Sequence, residues 1–353
     1  MFALSKSGWY CGADVNKVEI LREADMLPAD DVNRTVDLHL HSSCSDGLCT
    51  PSELVTMARD VGLYAIALCD HDSVAGIDEA VLAGRECRVE VLPGIELSSM
   101  WNSHRDIHLL GYGIDHHAGL LRVELSAFRA FRRERNRRIL NRINERLRGD
   151  RKTVLDFHEI QESTGDTVGR PHLARALVAK GYARNVEDAF QRYLIPYNIP
   201  KRFFPLDLAI SLVHDCGGVA VLAHPLLVNT DRAHWDRLLD DYMALGLDGI
   251  EVYTPSVTES DVDFFLGQAH RRGLVVTGGS DFHGMPVDTP VPGTGFGSFA
   301  VPGQCLDGIK SALRKRQANV TPPLPQASPN QPAPPEAGHP TGPDPPLTGY
   351  RSG

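Results

Sequence analysis

Seven short runs of apolar, largely β-branched residues punctuate this chain: Val36–Leu40, Tyr64–Cys69, Val89–Ile95, Ile107–Tyr112, Val219–Ala223, Gly249–Tyr253 and Leu274–Thr277. Nothing else in the sequence narrows its fold so sharply. Runs without polar alternation read as strands buried on both faces. Helix-like segments follow them. Thr50-Pro51-Ser52-Glu53 offers an N-cap, a first-turn proline and an early acid ahead of Leu54–Val61. Leu206–Asp215 ends at Gly217-Gly218, a C-cap signal. This alternation predicts an α/β protein with a parallel sheet covered on both faces. Its length fits a (β/α) barrel better than an open sheet.

Between Gly119 and Pro205 the rhythm stops. Leu121, Leu125, Phe128, Ile139, Ile143 and Leu147 recur near the helical period. From Leu121 to Asp150 there are ten arginines against four acidic residues, in a chain whose overall charge is −9. Such a helix reads equally as a solvated face or as an anion-binding one. The expected organisation is an N-terminal extension over 1–34, a barrel over 35–118 and 206–317, a basic helical insertion over 119–205, and a tail over 318–353. The tail holds 11 of the 24 prolines. It buries too little to offset its ordering entropy and is expected to be disordered.

Polar residues close the apolar runs. Asp37-Leu38-His39-Leu40-His41 puts two imidazoles at i and i+2, on one side of a strand. Asp46 follows in a Ser45-Asp46-Gly47 turn. Later runs end in Asp70-His71-Asp72, in Glu96 and in Ala223-His224-Pro225. His108 and Glu251 sit within runs, and Asp281-Phe282-His283 follows the last. Each residue alone reads as a satisfied polar group or a helix cap, and that reading holds for Asp72 and Glu251. It strains for the set. In a parallel barrel the strand ends meet at one mouth, where active sites lie. His39, His41, His71, His108, His224 and His283 would crowd there with Asp46, Glu96 and Asp281, at a high cost unless cations occupy the site. Nine nitrogen and oxygen ligands exceed the four of one structural zinc and suit two or three divalent ions of Mn, Zn or Fe. Cys44, Cys49 and Cys69 read as packing residues, since no CxxC spacing appears.

Together and in order, these motifs resemble the polymerase and histidinol phosphatase (PHP) family over roughly Val36 to His283. The resemblance implies a distorted seven-stranded, TIM-like (β/α) barrel with a trinuclear metal centre, the nine residues being its ligands. A second stretch, Gly169-Arg170-Pro171-His172 with Gly181-Tyr182, Ala189-Phe190 and Tyr193-Leu194, is similar to the helical insertion of the 3′,5′-nucleoside bisphosphate phosphatase group. That similarity implies a lid over the metal mouth, with Arg170 and His172 placed to meet substrate. Arg170 suits this role because its planar fork grips a phosphate bidentately. His172 reads equally as a leaving-group acid or a helix cap. Arg132, Arg133 and Arg135 add positive potential, with Arg135 as a further substrate contact.

The expected reaction is hydrolysis of a phosphomonoester by a metal-activated hydroxide, most simply the 3′-phosphate of a nucleoside 3′,5′-bisphosphate. The alternatives are a 5′→3′ exoribonuclease acting on short RNA, a phosphatase for histidinol phosphate or a phosphorylated nucleoside, and a non-catalytic metal-binding module. Acidic balance argues against a general nucleic-acid coat, and no DNA-binding module is apparent. No apolar run approaches the about 18 residues that span a bilayer. Seven scattered cysteines and the absence of a secretory leader point to a reducing cytoplasm.

Overall fold

The structure is a computed structural model that describes residues 34–164, 168–255, 257–284 and 300–320. The expected N-terminal extension and Pro-rich tail lie outside the described residues, apart from Arg34 and residues 318–320.

Nine strands form the sheet: β1 (Thr35–Leu40), β2 (Ala65–Leu68), β3 (Glu90–Trp101), β4 (His104–Tyr112), β5 (Phe204–Pro205), β6 (Val219–Leu222), β7 (Gly249–Tyr253), β8 (Val275–Gly278) and β9 (Val301–Pro302). Their order is β8-β7-β6-β4-β3-β2-β1-β9, with β5 beside β3. The helices of two turns or more are α1 (Pro51–Asp60), α2 (Ile77–Cys87), α3 (Gly119–Gly149), α4 (Phe157–Thr164), α5 (Arg170–Ala179), α6 (Leu206–Asp215), α7 (Trp235–Ala244), α8 (Glu259–Arg272) and α9 (Gln304–Val320). Setting aside the two-residue β5 and β9, seven strands remain. The chain just beyond β8 returns to β1, where Leu40 bridges Phe282 and the His41 amide donates to the Phe282 carbonyl at 2.9 Å. The result is the expected distorted, nearly closed seven-stranded barrel.

One expectation fails. The sheet is not all parallel, because β4 runs antiparallel to both β3 and β6. Only Asn102-Ser103 separates β3 from β4, far short of the dozen or so residues a parallel crossover needs. Asn102 takes the left-handed conformation that so tight a turn demands, at φ 52°. The apolar run read as ending at Ile95 continues as strand to Trp101. Its polar residues Glu96, Ser98 and Ser99 are all buried, which a hydropathy pattern does not anticipate. At the other end, α9 continues three residues into the stretch expected as tail.

Both faces of the parallel strands are dry, which explains their unbroken apolar sequence. Ala65, Ala67 and Cys69 join one core cluster with Leu38, Val219 and Val221, while Ile66 and Leu68 pack with Leu54, Val55 and Ile77 of α1 and α2. Inside the first cluster Tyr112 donates its hydroxyl to the Leu38 carbonyl at 2.9 Å. Helix α3, about 46 Å long at 1.5 Å per residue, serves two cores. Leu121, Leu125 and Phe128 pack against the barrel, whereas Ile139, Leu140, Ile143 and Leu147 build a separate core with Leu173, Leu177, Tyr193 and Leu194. The helical segment therefore holds itself together and is levered over the barrel by one helix. Among the described residues no helix is long and apolar enough to cross a membrane, and no disulfide joins the six cysteines.

Barrel closure depends on close backbone approach at Gly279. A Cβ there would collide with Cβ and the backbone of His39. Gly279→Ala is expected to cost about 1–3 kcal/mol by overpacking, read from denaturant midpoints, and to lower the bound-metal content. Gly119→Ala, where a Cβ meets open space, serves as the control and is expected to change neither.

Candidate metal centre

Each strand end delivers one or two polar side chains to the same mouth. β1 carries His39 and leads into His41; the segments after β2 and β8 supply His71 and Asp281. Glu96 lies on β3, His108 on β4, and His224 follows β6. The antiparallel course of β4 means that His108 reaches the mouth from within its strand. Backbone strain accompanies the arrangement. His224 and Asp281 sit at φ 25° and 53°, a region costing about 1–3 kcal/mol for residues with a Cβ. Both are pinned by hydrogen bonds, the His224 amide to Glu251 Oε2 at 2.7 Å and the Asp281 amide to the His39 carbonyl at 2.9 Å.

Glu96 is the hub and is fully buried. Its Oε1 lies 2.8 Å from His108 Nδ1, 3.1 Å from His224 Nε2 and 3.5 Å from His39 Nε2. Its Oε2 lies 2.7 Å from His71 Nδ1 and 3.3 Å from His41 Nε2. Asp281 Oδ1 is 3.0 Å from His41 Nε2, and Asp46 Oδ1 is 3.3 Å from His283 Nε2. Three overlapping groups result, each with ligand atoms within 4.8 Å of one another: His41, Asp46, His71 and His283; His39, His41, Glu96 and Asp281; and His71, Glu96 and His108. His224 adjoins the third. All nine residues singled out from the sequence therefore converge.

Convergence alone does not make a metal site; orphaned donor atoms do. His39 Nε2, His41 Nε2, His71 Nδ1, Asp46 Oδ1, Glu96 Oε2 and Asp281 Oδ1 are buried without a hydrogen bond. His71 Nδ1 and Glu96 Oε2 are only 2.7 Å apart, yet neither is hydrogen-bonded. Buried polar atoms left this way are expensive, and a nitrogen and oxygen set of this kind fits divalent cations. A separate group, Asp78, His116 and His117, is less suited. Arg122 Nη2 lies 2.7 Å from His117 Nδ1 and already places a positive charge there.

Electrostatics follow from the crowding. Burial alone would raise the Glu96 and Asp46 carboxyls, but the imidazoles around them win and hold both well below the usual carboxylate range. Burial likewise opposes protonation of His108 and His283, yet Glu96 and Asp106 lift the first to about 10, and Asp46 lifts the second to about 9. Burial, with His283 and His71 nearby, drives His41 down to about 3. Without cations, the mouth balances its carboxylates with imidazole protons.

An outer ring of carboxylates orients these ligands. Glu251 Oε1 lies 3.0 Å from His39 Nδ1, which directs the opposite nitrogen toward Glu96 and Asp281. Asp106 does the same for His108 at 3.3 Å and also pairs with Lys201 at 2.6 Å. Asp70 accepts from Ser42 and Ser45, fixing the loop that carries Asp46. Asp72 accepts from the Ser98 amide at 2.9 Å, the satisfied group expected of it. Sequence reasoning missed the positioning roles of Glu251, Asp106 and Lys201. A lone carboxylate inside the apolar run Gly249–Tyr253 was the available signal for Glu251.

Beside the ligands lies a cavity of about 200 Å³, lined by Asp46, His71 and His108 on one side and by Phe131, Arg132, Arg170 and Lys201 on the other. A larger hollow of about 930 Å³ between β8, α8 and α9 contains none of the nine residues. Arg170 Cζ stands 5.5 Å from the centre of the Phe190 ring, and its guanidinium has no hydrogen bond or ion pair among the described residues. Desolvation lowers its pKa, and the Arg132 charge adds to that. Arg135 differs from expectation, and His172 takes the helix-cap alternative. Arg135 borders the cavity, but its guanidinium donates to the Ile199 carbonyl, Asn198 Oδ1 and Asn136 Oδ1 at 2.7–3.2 Å. His172 is buried and its Nδ1 accepts from the Gly169 amide at 2.8 Å, which caps α5. The Arg135 guanidinium and the Nδ1 of His172 are committed to holding the helical segment together.

Comparison with known proteins gives the same answer. A PHP domain profile matches residues 37–199. A 5′-3′ exoribonuclease of Haemophilus influenzae is 33% identical over 256 residues, covering 71% of this chain and 91% of its own length. A 3′,5′-nucleoside bisphosphate phosphatase of Chromobacterium violaceum is 33% identical over 252 residues, covering 70% and 87%. The chain belongs to the PHP family. A solved structure of an amidohydrolase from Chromobacterium violaceum, with bound sulfate and no metal, aligns with a TM-score of 0.65 at 30% identity, covering 80% of this chain and 96% of that one. This PHP protein is a metal-dependent phosphoesterase. Three of its nine candidate ligands, His224, Asp281 and His283, lie beyond the profile match and complete the site only in three dimensions.

Cation binding must displace the imidazole protons. His283 and His108 are protonated below about pH 9 and 10 in the metal-free protein, so affinity for Mn or Zn is expected to rise with pH from 6 to 9. Titration calorimetry in two buffers of different ionisation enthalpy is expected to show net proton release. Heats independent of the buffer would contradict this.

Proposed function

We propose that the protein hydrolyses the 3′-phosphate of a nucleoside 3′,5′-bisphosphate, with two or three divalent ions (Mn, Zn or Fe) held by His39, His41, Asp46, His71, Glu96, His108, His224, Asp281 and His283. The observation that carries this reading is the guanidinium of Arg170, which has no hydrogen bond or ion pair among the described residues and shares one cavity with Asp46, His71 and His108. When bound, divalent ions polarise phosphoryl oxygens and lower the pKa of water toward neutrality. The chain's own residues do the rest.

Arg170 grips the phosphate that is not being cleaved, and Lys201 stands beside the same cavity. Binding energy from that remote group orients the reacting phosphoryl group. Arg132 is a positioning residue. Its Nη1 donates to the His71 carbonyl at 3.3 Å, and its Nη2 lies 3.8 Å from Asp72. Arg175 Nη2 donates to the Asp46 carbonyl at 2.9 Å. Through these two contacts segment 119–205 acts as a lid fastened to the loops that carry ligands. The cavity falls below the about 300–1,000 Å³ of pockets that swallow a whole small molecule. It therefore takes the phosphorylated part of the substrate and leaves the base near the rim.

A second reading is 5′→3′ exoribonuclease action on short RNA. The exoribonuclease relative is as similar to this chain as the phosphatase, which keeps this reading in view. Phosphate and nucleotide release from a nucleoside 3′,5′-bisphosphate and from a 5′-phosphorylated oligonucleotide, compared on metal-reconstituted protein, decides between them. Faster turnover of the bisphosphate is expected. Arg170→Ala is expected to lower kcat/KM for the bisphosphate about 10- to 100-fold, the worth of one charge-assisted grip, with bound metal unchanged. Equal activity in variant and parent would remove Arg170 from the mechanism.

A further inference from the structure

Phe131 is one of three large exposed apolar residues of α3, with Leu120 and Val123. It is 40% exposed and its ring has no aromatic or cationic partner among the described residues. One turn earlier, Phe128 behaves as a core residue, buried and stacked on Phe204 with ring centroids 4.6 Å apart and planes 9° from parallel. Phe128, Phe131 and Phe190 all line the cavity that holds Asp46, His71 and Arg170, but Phe128 is stacked on Phe204 and Phe190 lies under Arg170, so Phe131 is the ring left open among the described residues. It is followed by Arg132 and Arg133 on a strongly basic helix. A flat apolar face left open at the rim of a cationic pocket matches the two halves of a nucleotide, an anionic phosphate and a planar heterocycle.

We infer that Phe131 is the base platform of this site: the substrate's nucleobase stacks on its exposed ring while the phosphates lie deeper, toward the cations and Arg170. This rests on the nucleotide reading above and adds to it a specificity rule. A phenyl ring offers a π-face and no hydrogen-bond donor or acceptor, so it favours all four bases alike over substrates that lack one. The small cavity supports the same division, since its volume suits the phosphoryl end and leaves the base at the rim.

Steady-state kinetics with Phe131→Ala test the inference. KM for nucleoside 3′,5′-bisphosphates is expected to rise about 10-fold for each of the four bases, with kcat little changed and bound metal unaltered. KM for a base-less ribose 3,5-bisphosphate is expected to stay where it is. Phe131→Trp is expected to restore or lower the nucleotide KM, which a merely structural role would not produce. An equal rise for the base-less substrate, or no rise for any nucleotide, overturns the inference. If the parent protein turns over no bisphosphate, the catalytic proposal falls instead. Calorimetric binding of the nucleotide against the base-less analogue then still reads the platform: a 10-fold preference lost in Phe131→Ala upholds it, and equal affinities overturn it.

Discussion

Six imidazoles and three carboxylates held at the mouth of a nearly closed barrel cannot all be satisfied by one another. Glu96, fully buried, faces five imidazoles within 3.5 Å. Several of the nitrogens and oxygens make no hydrogen bond. Taking each charge out of water costs several kcal/mol, and proton sharing leaves the demands in conflict, with His41 driven down while His108 and His283 are driven up. Divalent cations resolve the conflict in one step, because every orphaned atom is a lone pair of the type they accept.

The rest of the molecule holds that knot in place. Parallel strands dry on both faces provide rigid posts, and the antiparallel β4 inserts His108 between β3 and β6. Outer carboxylates fix ring orientation, Glu251 for His39 and Asp106 for His108. The helical segment has its own core, yet it touches the mouth through Arg132 and Arg175. These contacts end on the backbone carbonyls of His71 and Asp46, two residues of one ligand group. The helical segment and the candidate cation site are therefore mechanically joined, and Arg170 and Arg202 border the cavity without a hydrogen bond or ion pair among the described residues.

Much of this was readable beforehand. The i, i+2 spacing of His39 and His41 follows from the pleat, and the polar residues at the ends of later runs, in the turn after the first and within the fourth point to the remaining candidates. What escaped has physical reasons. The hairpin of β3 and β4 was hidden because buried Glu96, Ser98 and Ser99 interrupt the hydropathy of a strand that continues through them. Glu251 looked like a satisfied polar group, which it is, but its partner is a ligand 212 positions away. His172 reads equally as a substrate contact or a helix cap, and the Gly169 amide three residues earlier gives it the cap. For Arg135 only the structure shows that Ile199 and Asn198 already accept from its guanidinium, because those partners lie more than 60 positions away.

The central claim is that one pool of cations, and not a web of hydrogen bonds, holds the nine side chains together. Anomalous diffraction from crystals grown with Mn or Zn tests it most directly. Two or three strong peaks are expected among His41, Asp46 and His283, among His39, Glu96 and Asp281, and beside His71 and His108. A well-ordered mouth without any anomalous peak, its imidazoles and carboxylates hydrogen-bonded to one another, would contradict it.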